Sequence, residues 1–561
     1  MDICLKKNKK ENIAIYLLIL LGTLAFWIPY MTKGFIPGAE VDFHYARVET
    51  LSQCIKEGIF PAKIRPMHMM GYGYGIGFFY PDVFLYIPAV LLVFGADYAI
   101  VLKIYMFIVT LIGGVAFYQC AVRLTGRKDL ALLGEILFME SVINDVNVFV
   151  GGGLPHLFAY MALPLGFFGL FSALKREKKG ILLYIISVVT VLLAHAIIFM
   201  TLMLGLGIIL LFHVKVINKD IGILKGLILA SVVGALITTA FWLPALEQML
   251  HTWFKTFHGN YYIVSEHVLT LKELFTQHLG ILLSVVFLFC VVVYFVLLFK
   301  KKKMPLEVTG TLFVTVFYIW FCTSSLIWKG FLGRKMNFFE YTDRFDFVIT
   351  VTMILFIMMI LKELEVKELS GIAFVAASVV LIFVSRLLVR PDLFTSFKGE
   401  KMELSADLLE KDFMVSGAEW LPSETNMMLC NTPTTAFADD GTPAEGEKLR
   451  SDSWFRVTLD GSKNYYDMPY IYYYGYRAFV LNENGEVDHE LEVKQALDGN
   501  GLVRVFIPRE DTGALKIVVT YKVTPLQIIS YIVTMLALVV AVILVSYTIN
   551  GCVKCSEKNK R

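Results

Sequence analysis

The chain is predicted to be an α-helical polytopic membrane protein. About twelve spanning helices and one further re-entrant or interfacial segment are expected, with a small extracytoplasmic β-sandwich before the last span. Three observations lead there. Apolar residues make up 57% of the 561 positions and charged residues 18%, a balance foreign to soluble globular proteins. Apolar runs of about 17 to 25 residues recur, each long enough to cross a hydrocarbon layer of roughly 30 Å as a helix. One long hydrophilic stretch, at about 390–524, instead contains runs that alternate apolar and polar residues.

The first element is the run from Ile13 to Tyr30, preceded by Lys6, Lys7, Lys9 and Lys10. The basic start resembles a signal peptide, but the run is too long and lacks a small-residue cleavage site, so a retained helix with its basic end in the cytoplasm is expected. Basic clusters follow at Arg123 to Lys128, Lys175 to Lys179, Lys215 to Lys219, Lys300 to Lys303, Lys362 to Lys367 and Lys554 to Arg561. Spans near 12–31, 98–120, 129–146, 154–174, 180–196, 197–214, 221–246, 279–299, 304–327, 345–361, 369–389 and 525–548 put every cluster, and both termini, on the cytoplasmic side. The run Phe78 to Gly95 is the exception. As a full crossing it would move Arg123, Arg127, Lys128 and several later clusters outside, and it carries Pro81, Asp82 and Pro88. It is expected as the re-entrant or interfacial segment, within a first outer loop of 32–97.

Three regions result: a transmembrane domain at 1–389, a β-rich extracytoplasmic domain at 390–524, and a last helix with a basic tail at 525–561. Within the β-rich domain, strands are expected at Trp454 to Leu459, Ala478 to Leu481, Val503 to Ile507 and Leu515 to Val519. Asn482-Glu483-Asn484-Gly485 and Asp498-Gly499-Asn500-Gly501 supply the turns. The net charge of +3 is spread over short loops and forms no nucleic-acid patch. The eight cysteines are scattered and imply no disulfide framework, with a Cys54 to Cys430 bridge left open.

The polar residues that invite a functional reading begin directly after the first span. Glu40, Asp42, His44 and Arg47 follow one another at the first outer loop's start. Charged groups beside a membrane are expensive and point to function; the competing reading is that the acids cap a helix from Tyr45 to Gly58. Glu40 and Asp42 would stand about 200° apart on a helix, so the two cannot serve one site equally, whereas His44 and Arg47 share a face. Arg344 opens the tenth span among Glu340 and Asp343, a planar guanidinium fork at headgroup depth that can bond an anion bidentately. Its alternative is an anchor paired with Asp343 or Asp346. Asp145 closes the third helix as a second acid, and His156 follows Gly151-Gly152-Gly153. The loop after the seventh span holds His251, His258, His267 and His278, whose spacings of 7, 9 and 11 match no compact metal motif. Any cofactor is unknown, with a divalent metal left open. Glu135, Glu140 and His195 lie within spans and need partners there. The tyrosines from Tyr470 to Tyr476 either stack sugar rings or simply pack.

The run from Glu40 to Arg47, with Glu57-Gly58-Ile59-Phe60-Pro61-Ala62-Lys63-Ile64 and Gly71-Tyr72-Gly73-Tyr74-Gly75-Ile76-Gly77-Phe78-Phe79-Tyr80-Pro81, resembles a bacterial polytopic membrane family. That family is named for a domain related to 6-pyruvoyl-tetrahydropterin synthase. The synthase itself is a small soluble zinc enzyme, and nothing in this chain supplies such a scaffold. The resembled organisation is similar to that of GT-C glycosyltransferases, which draw sugars from polyprenyl-phosphate carriers and keep an essential acid in the first outer loop. The resemblance maps that acid onto Glu40, three residues before Phe43-His44, with Asp42 as an extra carboxylate that leaves the identity of the base open. It implies Arg344 as the residue of a Gln-Phe-Pro-x-Arg-like motif, here altered by Glu340 and Asp343. His44, Arg47, Asp145, His156, His258 and Arg344 are the expected binding residues. The implied partners are membrane lipid, a polyprenyl-phosphate-linked sugar and a cell-envelope polymer or glycolipid acceptor. Two rival functions stand beside it: a flippase or transporter of lipid-linked substrates using Glu135, Glu140 and His195, and a non-catalytic scaffold whose β-rich domain binds wall polymer.

Overall fold

The computed structural model describes residues 9–31, 40–257, 263–330, 333, 335–389, 418–426, 432–449, 454–497 and 500–558. The chain divides into two compact units. One comprises Met1–His44, Asp97–Gly234 and Tyr262–Leu404, the other Tyr45–Ala96, Ala235–Tyr261 and Ser405–Arg561.

Eight helices among the described residues are long and apolar enough to cross a membrane. They are α1 (Lys9–Trp27), α2 (Tyr98–Thr125), α3 (Leu154–Leu174), α4 (Ile281–Phe299), α5 (Leu306–Thr323), α6 (Asp346–Glu363), α7 (Gly371–Val389) and α8 (Pro525–Lys558). The pair Ile221–Ile237 and Thr239–His251, broken at Thr238, makes a ninth if it is one span. The expected spans 129–146, 180–196 and 197–214 are shorter helices, of 12, 17 and 17 residues (Lys128–Met139, Lys178–Ala194 and Ala196–Phe212). Polar residues bound them. The first stops at Glu140, after which Ser141 caps a new short helix, Val142–Asp145. The other two meet at His195, whose extended backbone (φ −153°, ψ 112°) ends one and caps the next.

In the first unit α3 and α6 form the centre: 94% and 89% of their apolar windows are buried, against 33% for α4 and 28% for α7. A helix that is apolar all round belongs in such a position. The helix Lys178–Ala194 lies unusually close to α3 because two glycines meet there. A Cβ on Gly169 would come 2.5 Å from the Tyr184 nitrogen and 2.9 Å from the Gly180 oxygen, the small-residue contact that lets membrane helices approach. Hydroxyls add cross-links, with Thr315 donating to Thr352 over 2.8 Å and Tyr160 meeting Ser141 at 2.8 Å.

The second unit carries a nine-stranded antiparallel sheet, ordered β6-β5-β9-β3-β2-β1-β4-β8-β7. Its strands are β1 (Thr435–Ala438), β2 (Pro443–Leu449), β3 (Trp454–Asp460), β4 (Tyr465–Ile471), β5 (Tyr476–Leu481), β6 (Val487–Leu491), β7 (Val493–Gln495), β8 (Leu502–Phe506) and β9 (Ala514–Tyr521). The four expected strands are β3, β5, β8 and β9, and β3 alternates buried and exposed along its length. A sandwich of two sheets was expected. The strands form two sheets that run into each other through β2, whose residues Pro443–Glu445 pair with β1 and Gly446–Leu449 with β3. The Asn482–Gly485 turn closes the β5–β6 hairpin, with Gly485 at φ 80°; Asp498 and Gly499 of the other expected turn lie outside the described residues.

Residues 78–95 make no crossing. They hold the end of the helix Ile76–Phe79 and the helix Tyr86–Val93, whose eight residues rise only about 12 Å. Asp82 between them is the counter-ion of two buried arginines of the same unit. Arg47 Nη2 donates to it over 2.9 Å and Arg65 Nη2 over 2.5 Å. Burial alone would raise the Asp82 carboxyl, but the two guanidinium groups outweigh it and hold the group below the usual carboxylate range. Burial, with Arg65 and Arg47 nearby, pushes His68 down to about 3; this neutral ring meets Thr50 Oγ1 at 3.2 Å. Cys54 is a buried free thiol, while Cys430 lies outside the described residues.

Candidate functional site

The site lies in the first unit and begins with Glu40, the residue just before the helix Val41–Lys56. Its carbonyl accepts from the His44 amide over 3.0 Å, and its own amide donates to the Gly151 carbonyl over 2.7 Å. Glu40 therefore does cap a helix with its backbone. Its side chain has another partner, since Oε2 stands 3.0 Å from His44 Nε2. Gly152, at φ +72°, allows the approach: any Cβ there would strike Val41, whose backbone nitrogen would be 2.9 Å away.

The same glycine segment places His156. After the π-helical turn Val146–Gly151, α3 starts at Leu154 with Pro155 in its first turn, and His156 follows. Arg344 reaches it from the 3-10 turn Thr342–Phe345 that opens α6. Nη1 donates to His156 Nε2 over 2.7 Å and Nη2 to Glu340 Oε2 over 2.8 Å. His156 must accept there, so it is the neutral Nδ1–H tautomer. The buried Arg344 Nε has no partner among the described residues. His195 stands behind, its ring centroid 4.6 Å from that of His156. Phe347 stacks on the other imidazole at 5.7 Å, and the Tyr341 ring lies 5.7 Å from the guanidinium.

Glu340 is held in an uncommon backbone conformation, φ 65° and ψ −57°. The Tyr341 amide donates to the Phe339 carbonyl across it over 2.7 Å, which makes a γ-turn of the positive-φ kind, a strained form. Such strain costs on the order of 1–3 kcal/mol and gathers at functional sites. Here it aims a carboxylate at Arg344.

Electrostatically these groups form one set. Burial alone would raise the Glu40 carboxyl, but the His44 hydrogen bond and charge, with His156 and Arg344 further off, outweigh it and keep Glu40 ionised. Burial raises Glu340 against the pull of Arg344. Glu40 is the open member, with 37% of its side chain exposed against 14% for Arg344 and 2% for His44. An ionised, accessible carboxylate thus lies within the field of a buried guanidinium that has one donor to spare.

The expected residues separate accordingly. Glu40, His44, His156 and Arg344 come together. The alternative pairing of Arg344 with Asp346 is not what forms, since Asp346 meets His278 Nδ1 at 2.7 Å. Arg47 belongs to the Asp82 ion cluster of the other unit, fully buried. Asp145 pairs with Arg386 of α7, which also meets Glu140 at 3.5 Å and lies over the rings of Phe26 and Phe149. The Asp42 side chain and all of His258 lie outside the described residues. The other loop histidines have separate partners: His251 stacks on Tyr474, His267 packs at Tyr341, and His278 bonds Asp346. No group of three or more His, Cys, Asp or Glu side chains among the described residues is arranged to hold a metal. His195 and Glu340 joined the site without being expected as ligands; the signals were an ionisable residue within the apolar 180–214 stretch and an acid four residues before Arg344.

The profile of a family described as "6-pyruvoyl-tetrahydropterin synthase related domain; membrane protein" matches residues 78–395. The chain belongs to this family. It is accordingly a membrane protein, and the family match carries His156, His195, Glu340 and Arg344, with Glu40 and His44 before its start. A relative from Lactococcus lactis subsp. cremoris, described as an uncharacterized protein, is 26% identical over 257 residues, 44% of this chain. The match spans 41% of that relative's length.

Proposed function

We propose that the protein is a GT-C-like glycosyltransferase that moves a sugar from a polyprenyl-phosphate donor to a cell-envelope acceptor at the outer membrane face. The observation that carries this reading is an ionised, partly exposed Glu40 in the field of the buried Arg344. The acceptor hydroxyl oxygen attacks the anomeric carbon, the bond from that carbon to the phosphate oxygen breaks, and the hydroxyl proton passes to Glu40. Arg344 takes the charge that develops on the departing phosphate through its spare Nε–H and its fork. The contacts that hold Glu40 ionised also make it a weak base. A donor phosphate seated at Arg344 neutralises that cation and adds a like charge, which raises Glu40 toward a useful basicity. Asp42 is the alternative base. In this reading the sheet unit is extracytoplasmic and both termini are cytoplasmic, following the basic clusters.

The test is sugar incorporation by the purified protein in nanodiscs from a radiolabelled polyprenyl-phosphate sugar, alongside envelope glycosylation in cells at normal protein level. Glu40→Gln should abolish both. Full incorporation by the Glu40→Gln, Asp42→Asn double variant would sink the reading. The buried Glu140, Asp145 and Arg386 cluster favours the transport alternative, which instead requires that Glu140→Gln stop function while Glu40→Gln stays active.

A further inference from the structure

The tyrosine run Tyr470 to Tyr476 is divided by the fold. Tyr473 is fully buried, and its hydroxyl donates to the Trp420 carbonyl over 3.2 Å, so it serves the core. Tyr470 and Tyr476, at 1% and 6% exposure, are the nearly buried floor of a cleft of about 260 Å³ lined also by Glu57, Phe60, Trp454 and Tyr521. Tyr472, Tyr474 and Tyr476 line a second, of about 440 Å³, with Arg477, Glu490 and Glu492. Both clefts belong to the second unit and share Tyr476. Their volumes fall around the lower end of the roughly 300–1,000 Å³ typical of small-ligand sites.

From this we infer that the second unit carries a two-part binding trough for a neutral glycan chain, one subsite on each side of Tyr476. Aromatic faces take the C–H face of a pyranose ring, while carboxylates and a guanidinium hydrogen-bond its hydroxyls. Phe60 and Trp454 are 75% and 41% exposed at the first cleft, large aromatics left in solvent where a ring can stack. Tyr474 is a prepared platform. Gln248 clamps its backbone, Nε2 donating to the Tyr474 carbonyl over 2.8 Å and Oε1 accepting from its amide over 2.9 Å, and His251 stacks on its ring at 3.7 Å.

Charge selects among occupants. Arg477 is already paired with Glu490 at 3.0 Å and Glu492 with Lys494 at 2.6 Å, and Lys63 at the first cleft donates to the carbonyls of Gly77 and Ala240. Among the described lining residues, then, Arg477 is ion-paired and Lys63 is turned onto backbone carbonyls, so neither stands open to a phosphate. A lipid chain would need an apolar wall, which the second cleft, faced with Arg477, Glu490 and Glu492, does not offer. As the acceptor site the trough rests on the transferase reading, whereas glycan binding itself does not.

The test uses the full chain in nanodiscs with chitotetraose, cellotetraose and maltotetraose as probes, read by saturation transfer to sugar ring protons and by tryptophan fluorescence titration. At least one probe should bind. Trp454→Ala and Tyr474→Ala should each weaken it roughly tenfold, and Tyr474→Phe, which keeps the ring and reports correct folding, should leave it within about twofold. Binding should survive Glu40→Gln, so loss of transfer with retained binding separates the two proposals. Failure of all three probes, preference for a glycerol phosphate oligomer, or unchanged binding in both alanine variants overturns the trough.

Discussion

Replacing Asp82 with asparagine should destabilise the protein severely while leaving its shape nearly unchanged. Arg47 and Arg65 are both fully buried, and both donate to the Asp82 carboxylate, at 2.9 and 2.5 Å. Two guanidinium groups share one carboxylate here, and Asp82→Asn removes the anion that both of them contact. Breaking a buried pair by removing one partner costs roughly 3–5 kcal/mol, and two stranded cations put this case at the upper end. At about 2–4 °C per kcal/mol for a unit of this size, the melting temperature should fall on the order of 10 °C or more. The assay is tryptophan fluorescence during heating of the purified protein in detergent. The folded carboxyl titrates below its unfolded value, so its stabilisation is complete above the ordinary aspartate range and is lost as pH falls. The gap between wild type and variant should therefore close in acid. A companion variant, Arg47→Met, Arg65→Met and Asp82→Leu, should recover most of the loss, because a packed apolar set removes the desolvation cost altogether. A shift under about 2 °C for Asp82→Asn at neutral pH would refute the view that this cluster holds residues 45–96 in place.

Arg344→Lys keeps the charge but cannot bond His156 and Glu340 together while offering a further donor; a fall of roughly 10²–10³ in kcat, with KM less affected, is expected in the transfer assay. Gly152→Ala should lower the melting temperature by a few degrees, since the left-handed backbone costs about 1–2 kcal/mol and the new Cβ strikes Val41; transfer should fall further as Glu40 is displaced. Burial pushes the Lys63 ammonium down to about 8 from the usual 10.5. Between these values the unfolded chain binds the more protons, so stability should rise with pH across that window, and thermal scans of Lys63→Met should show the rise flattened.

Much of this was legible in the chain. Period-two alternation identifies β3, β5, β8 and β9, but β2, Pro443-Ala444-Glu445-Gly446-Glu447-Lys448-Leu449, shows no such pattern because its half-buried positions hold Ala444, Gly446 and Lys448 and no large apolar side chain. Prolines and Asp82 mark 78–95 as no crossing, yet nothing local says that Asp82 answers Arg47 and Arg65, residues 35 and 17 positions earlier. The break at His195 falls at the expected boundary between spans 180–196 and 197–214, whereas the one at Glu140 lies inside the expected span 129–146, where apolar Val142 and Ile143 follow almost at once.

By itself the sequence determined that the chain enters a membrane, since apolar composition and run length are one-dimensional quantities that solvent reads directly. It also singled out Glu40, His44, His156 and Arg344 as residues too polar for their places. Only the tertiary structure decided which of them meet. Arg344 and His156 are 188 positions apart, and their union depends on a glycine turn, a strained Glu340 and the seating of α3 and α6 at the centre of one unit. Arg47, equally suspicious in sequence, was taken by Asp82 instead, because a buried guanidinium goes to the carboxylate that packing puts beside it.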